Sequence, residues 1–162
     1  PEDIIIQQSD EVESDFHPRH CDTRKTYCYR ILNTEFGLPK KRNYTWNVPG
    51  NIDIAKMQEA AAYLVGEHDF KGFCCVRTQT ETTVRTIYSL DVDRKGDEIL
   101  ITVTGNGFLY NMVRIIAGTL IQVGKGKFNP EYVKEMLDAK DRTQAGQTAP
   151  PQGLTLMRIE YL

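Results

Sequence analysis

Residues 83–123 constrain the fold most. "TVRTIYSLDVDRKG" (83–96) and "DEILITVTGNG" (97–107) alternate apolar and polar side chains around Arg94-Lys95-Gly96-Asp97. Alternation with period two marks half-buried strands, and a glycine-containing break between two such runs marks a hairpin. "GFLYNMVRIIAGTLIQV" follows at once, with apolar residues at helical spacing, which predicts a helix from Phe108 to about Val123. A hairpin that runs directly into an apolar helix must pack that helix back on a sheet.

The rest of the chain supplies the sheet. "KTYCYRIL" (25–32) alternates and is rich in aromatics, so it reads as a strand. "DIAKMQEAAAYLVGEHDF" begins with Asp53 as a cap and carries Ile54, Met57, Ala61 and Leu64 at helical spacing, with Gly66 as its stop. "PEYVKEMLDA" (130–139) is a short helix with Pro130 in its first turn, and "LTLMRIEYL" (154–162) alternates as a closing strand. "DIII" (3–6) is a further strand candidate. Between the first strand and the first helix lies a long basic segment, "NTEFGLPKKRNYTWNVPGN" (33–51), and long loops carry function more often than simple connections do. From residue 25 the order is β-α-β-β-α-(α)-β, the split β-α-β of a ferredoxin-like α+β unit. The expected architecture is an antiparallel-rich sheet with helices packed on one face, the other face remaining free to meet a partner.

With 162 residues the chain suits one domain. Its formal net charge of −2 argues against a globally basic binder but leaves room for a local basic patch. Glu2, Asp3, Asp10, Glu11, Glu13 and Asp15 precede any lysine or arginine, whereas 19–42 contains Arg19, Arg24, Lys25, Arg30, Lys40, Lys41 and Arg42. That asymmetry suggests one face directed at an anion. No apolar run approaches the roughly 20 residues of a membrane span. Cys21, Cys28, Cys74 and Cys75 form no CxxC pair and, with His17, His20 and His68, match no zinc spacing, so they read as reduced thiols of a cytoplasmic protein.

Two residues stand out as candidates for chemistry. On a helix of 3.6 residues per turn, Phe108, Leu109, Met112, Val113, Ile115, Ile116 and Leu120 share a broad apolar arc, and Arg114 falls opposite, beside Tyr110, Asn111 and Gly118. Spacing alone favours an ordinary exposed arginine on a polar stripe, with open space at Gly118 for another group to approach. Lys25 and Tyr27 face the same side of their strand. There the tyrosine either stacks on a nucleobase while the cations hold phosphate, or packs into a core. Tyr29 shares that face, so either tyrosine can be the exposed one. "KGFCCV" (71–76) has a faint likeness to an RNA-recognition motif but lacks its paired aromatics.

Taken in order, "DFHPRHCDTRKTYCYRI", "GEHDFKGF", "GFLYNMVRIIAGTLIQVGKGK" and "AKDRTQAGQTAPPQGLTLMRIEY" resemble the C-terminal part of TruA-type tRNA pseudouridine synthases, across essentially the whole chain. The resemblance implies an isomerase that converts uridine to pseudouridine in the tRNA anticodon stem-loop, with no cofactor or metal. The "KTY" match implies a catalytic Tyr27 stacked on the target uracil, and "NMVR" implies that Arg114 pairs with the nucleophilic aspartate. "DFHPR" implies Arg19, with Arg24 and Lys25, on the RNA side, and "GLTL" implies Leu154 at the pocket wall. The family's "RTD" aspartate motif occurs nowhere in the chain. The resemblance therefore implies that residues 1–24 lead in from a separate N-terminal domain bearing that aspartate, and that 25–162 form the C-terminal domain. Its implied partners are tRNA, that N-terminal domain and, in the full-length protein, a second copy in a homodimer. Two other readings compete. One is a non-catalytic RNA-binding module with an RRM-like sheet; the other is a structural or dimerisation domain, in which Tyr27 and Arg114 share no cleft.

Overall fold

The computed structural model describes residues 1–18, 21–75 and 80–162. The Arg19 candidate lies outside the described residues. Thr23–Leu32 forms β1, Trp46–Asn47 a short β2, Ile54–Ala62 helix α1 and Gly66–Asp69 strand β3. Val84–Lys95 (β4) and Glu98–Gly105 (β5) make the expected hairpin, followed by α2 (Met112–Gly124), α3 (Tyr132–Ala139) and β6 (Leu154–Tyr161).

The sheet is antiparallel apart from the two-residue pairing of β2 with β1. Its central order is β6-β1-β5-β4, with β3 beyond β4. A β-α-β-β-α-β chain laid out in this way is the ferredoxin-like α+β arrangement, with three helices packed against the sheet. Tyr29 and Ile31 of β1, with Ile99, Ile101 and Val103 of β5, point into one core with Met57 of α1 and Met112, Ile115, Ile116 and Leu120 of α2. By strand alternation Arg24, Thr26 and Arg30 fall on the opposite face. Asp53 caps α1 as its position suggested, its carboxylate accepting from the Lys56 N–H at 3.1 Å. Such a cap contributes about 1 kcal/mol.

Four features differ from the sequence reading. First, residues 3–6 join no ladder, and Ile4, Ile5 and Ile6 are exposed. Apolar β-branched residues favour a strand only when a neighbouring strand accepts them. Second, α1 ends at Ala62, and Gly66, at φ +111°, opens β3 instead of closing the helix. The polar "GEHD" pairs residue by residue with Val84–Ile87, which covers the outer edge of β4. Its side chains carry no apolar alternation, so the pairing leaves no mark in the sequence. Third, α2 begins at Met112, because Asn111 adopts a left-handed backbone (φ 63°) and the chain turns over 109–112, the Met112 N–H donating to the Leu109 carbonyl at 3.0 Å. Fourth, the space expected beside Arg114 at Gly118 is not open. The segment 145–149 crosses it, and a Cβ on Gly118 would lie 1.8 Å from the Gln147 carbonyl oxygen. Gly118 is thus a close-approach position for backbone, and α2 is buried on nearly every side. Among the described residues no helix is long and apolar enough to cross a membrane.

Candidate active-site cleft

A cleft of about 300 Å³ opens where the N-terminal end of α2 meets the middle of β1 and the start of β6. Tyr27, Arg114 and Leu154, drawn from these three elements, all line it. Phe108, Tyr110, Asn111 and Pro151 complete most of its wall.

The two tyrosines of β1 diverge. Tyr29 is fully buried and donates its hydroxyl to the Pro150 carbonyl at 2.6 Å. Burial pushes its hydroxyl far above the ordinary phenol range, with a smaller opposing pull from the Arg114 charge, so it remains a neutral structural donor. Tyr27 is only partly buried and meets Phe108 edge-on, with ring centroids 5.2 Å apart. One face of β1 therefore holds a core tyrosine and a cleft tyrosine two residues apart.

Arg114 is held from two directions. Its Nε donates to the Ala149 carbonyl at 2.6 Å, and one Nη donates to the Asn111 side-chain oxygen at 2.9 Å. The Ala149 N–H returns a bond to the Arg114 carbonyl at 3.1 Å, tying the crossing segment to the helix. Arg142 stiffens that segment by donating to the carbonyls of Ala145 and Gly146 and to the Thr148 hydroxyl. Among the described residues Arg114 makes no ion pair with a carboxylate. A guanidinium carries five N–H donors, and the described residues take up two of those on Arg114, which leaves three for an anion in the cleft.

The remaining candidates lie elsewhere. Arg24 sits across the sheet from Tyr27. Its guanidinium is 3.8 Å from Glu160 and 5.2 Å from the centre of the Tyr88 ring. Lys25 shares the Tyr27 face, about 7 Å further along the strand, but does not line the cleft. Phe70–Phe73 forms a tight 3-10 turn with both phenylalanines buried, so that stretch presents no strand aromatics to a ligand. The sequence reading named Tyr110, Asn111 and Phe108 as neighbours or core members and gave none of them a place in the cleft. Their position depends on the left-handed Asn111, for which the only signal was an asparagine just ahead of an apolar helical run.

The family model for tRNA pseudouridine synthase matches residues 60–162. The chain is 48% identical to tRNA pseudouridine synthase A 2 of Clostridium perfringens over 161 residues, which is 99% of this chain and 66% of the relative. It is likewise 48% identical to tRNA pseudouridine synthase A of Thermoanaerobacter pseudethanolicus, covering 66% of that protein, and 44% identical to that of Bacillus subtilis, covering 65%. The chain thus spans just under two thirds of the length of these relatives. The matched region contains β3–β6, α2 and α3 and with them the Arg114 and Leu154 sides of the cleft, and on this match the chain belongs to the tRNA pseudouridine synthase family.

Proposed function

We propose that this chain forms the cleft-bearing domain of a tRNA pseudouridine synthase acting on the anticodon stem-loop. The observation that carries the reading is the convergence of Tyr27, Arg114 and Leu154 on one cleft, from segments far apart in sequence. A structural module without a ligand has no reason to gather them there.

In this reading a uridine leaves its stack and enters the cleft. Flipping costs a few kcal/mol and is offset by stacking on an aromatic face, the role of Tyr27. The bond from the ribose to nitrogen 1 of uracil breaks, the base turns, and carbon 5 bonds to the ribose. The carbon 5 proton is lost and nitrogen 1 gains one, so the product is an isomer. Arg114 offers its free N–H groups to the nucleophilic aspartate, keeping that carboxylate ionised and oriented. The aspartate comes from outside the 162 residues, in a domain that docks beside the cleft. The outer edge of β6 suits this docking: Leu156, Met157, Ile159 and Tyr161 are substantially exposed there, next to the Leu154 wall. Arg19 and Lys25 supply the RNA side, Arg24 on the opposite sheet face meets RNA only where the strand wraps around that edge, and the full-length enzyme is a cytoplasmic homodimer.

The test measures tritium release from carbon 5 of labelled uridines in tRNA. The 162-residue chain alone is expected to release none. In the full-length enzyme, Arg114→Ala lowers kcat by roughly 10²–10³ while the fold survives, as loss of a positioned charge donor does elsewhere. Tyr27→Phe also loses most activity. Release by the chain alone defeats the external-aspartate reading, and near-parental turnover of either variant removes that residue from the site.

A further inference from the structure

We propose that Asn111 is a positioning residue whose side-chain amide aims the Arg114 guanidinium into the cleft. The proposal rests on the synthase reading for its catalytic consequence, but its geometry stands apart from it. Asn111 occupies the position just before α2, where asparagine is among the best helix caps. Yet its side chain makes no cap bond to its own helix. Its oxygen accepts from the Arg114 Nη at 2.9 Å, and its nitrogen donates to the Cys75 sulfur at 3.2 Å. An arginine can only donate, so the amide oxygen must face Arg114 and the amide nitrogen must face the thiol. Arg114 therefore fixes which way the amide points, and the Cys75 sulfur, accepting from the amide nitrogen, anchors the far end so that the amide in turn holds the guanidinium.

The backbone is arranged for the same purpose. Asn111 sits at φ 63° and ψ 5°, a left-handed conformation that asparagine tolerates better than other residues with a side chain. The Cys75 N–H also donates to the Tyr110 carbonyl at 3.3 Å, clamping the 109–112 turn to the segment beside it. With Ala149 gripping Nε and Asn111 gripping one Nη, the plane of the guanidinium is set from two sides. An unrestrained arginine would lose side-chain freedom each time it engaged an anion; this one has lost it already on folding.

Two substitutions separate the side chain from the backbone. Asn111→Gly retains the turn, since glycine adopts positive φ without steric cost, and deletes the amide. Asn111→Asp preserves size and left-handed tolerance but places a carboxylate against Arg114. In the 162-residue chain, nitrogen-15 NMR of the Arg114 side chain reads the effect without any activity. Asn111→Gly should leave the Nε–H protected by Ala149 and speed rotation of the Nη groups by about tenfold, the worth of one hydrogen bond to a charged group. In the full-length enzyme it should lower kcat about tenfold with KM for tRNA changed by less than about twofold. Asn111→Asp should lower kcat about a hundredfold, because the guanidinium then turns to the wrong carboxylate. Unchanged Nη rotation in Asn111→Gly overturns the proposal. So does an equal kcat loss in both variants that simply follows a fall in melting temperature. A parent enzyme that forms no pseudouridine defeats the synthase reading instead, and the NMR result alone then decides whether Asn111 positions Arg114.

Discussion

The two ends of α2 are built for opposite purposes. Towards its C-terminal end Leu120, Ile121 and Val123 are sealed, with the sheet and α1 on one side and the 145–149 segment on the other. At its N-terminal end one turn of helix carries Asn111 and Arg114, both partly exposed and both facing the cleft. The same crossing segment serves both ends. Its backbone closes over Gly118, and one turn earlier its Ala149 carbonyl holds Arg114. The polar end is therefore precise because the apolar end is tight. A guanidinium anchored to a loose loop would gain little from two hydrogen bonds.

This contrast can be broken most severely at Gly118. Gly118→Ala places a methyl group 1.8 Å from the Gln147 carbonyl and must push the crossing segment away. Overpacking against backbone should cost about 3 kcal/mol, read as a lower midpoint in urea unfolding. A loss under about 1 kcal/mol would show that the segment yields easily and does not clamp Arg114.

Tyr29 gives a smaller effect with a pH signature. Tyr29→Phe leaves the Pro150 carbonyl without its donor and should cost about 1–2 kcal/mol at neutral pH. Because burial raises the folded-state pKa of Tyr29, the folded chain keeps a proton that the unfolded chain loses above about pH 10. The unfolded state then binds fewer protons, so stability falls as pH rises through that region. The Tyr29 contribution is fully present below it, and Tyr29→Phe should show a shallower alkaline decline in melting temperature. Parallel declines for parent and variant would contradict the buried, neutral hydroxyl.

The smallest effect is expected on the opposite sheet face. Arg24 is about half exposed and faces Glu160 at 3.8 Å, so Arg24→Ala should change stability by less than about 0.5 kcal/mol in the same urea assay. A loss above about 1 kcal/mol would mean that this face is more than a solvated surface.

Much of the fold was legible. The 83–107 hairpin, the Asp53 cap and the alternation of "KTYCYRIL" are local patterns, and each has its counterpart in the structure. β3 was not legible, because its four residues pair through backbone alone. The true start of α2 was hidden, because an apolar periodicity continues through a turn that one left-handed residue interrupts. Of the site, the "KTY" and "NMVR" motifs pointed to Tyr27 and Arg114, which do share a cleft, whereas strand alternation puts Arg24 on the opposite face and Lys25, on the Tyr27 face, does not line the cleft.

The sequence by itself determined the order of the long elements and which residues of a strand share a face, since both follow from near-neighbour sterics and the period of hydrophobicity. Periodicity could not choose between Tyr27 and Tyr29, nor say whether Arg114 faced water. The turn at 150–153 and the segment at 145–149 decided both, by covering Tyr29 and gripping the guanidinium. These contacts join residues 35 and 121 positions apart, and only the closed sheet brings them together.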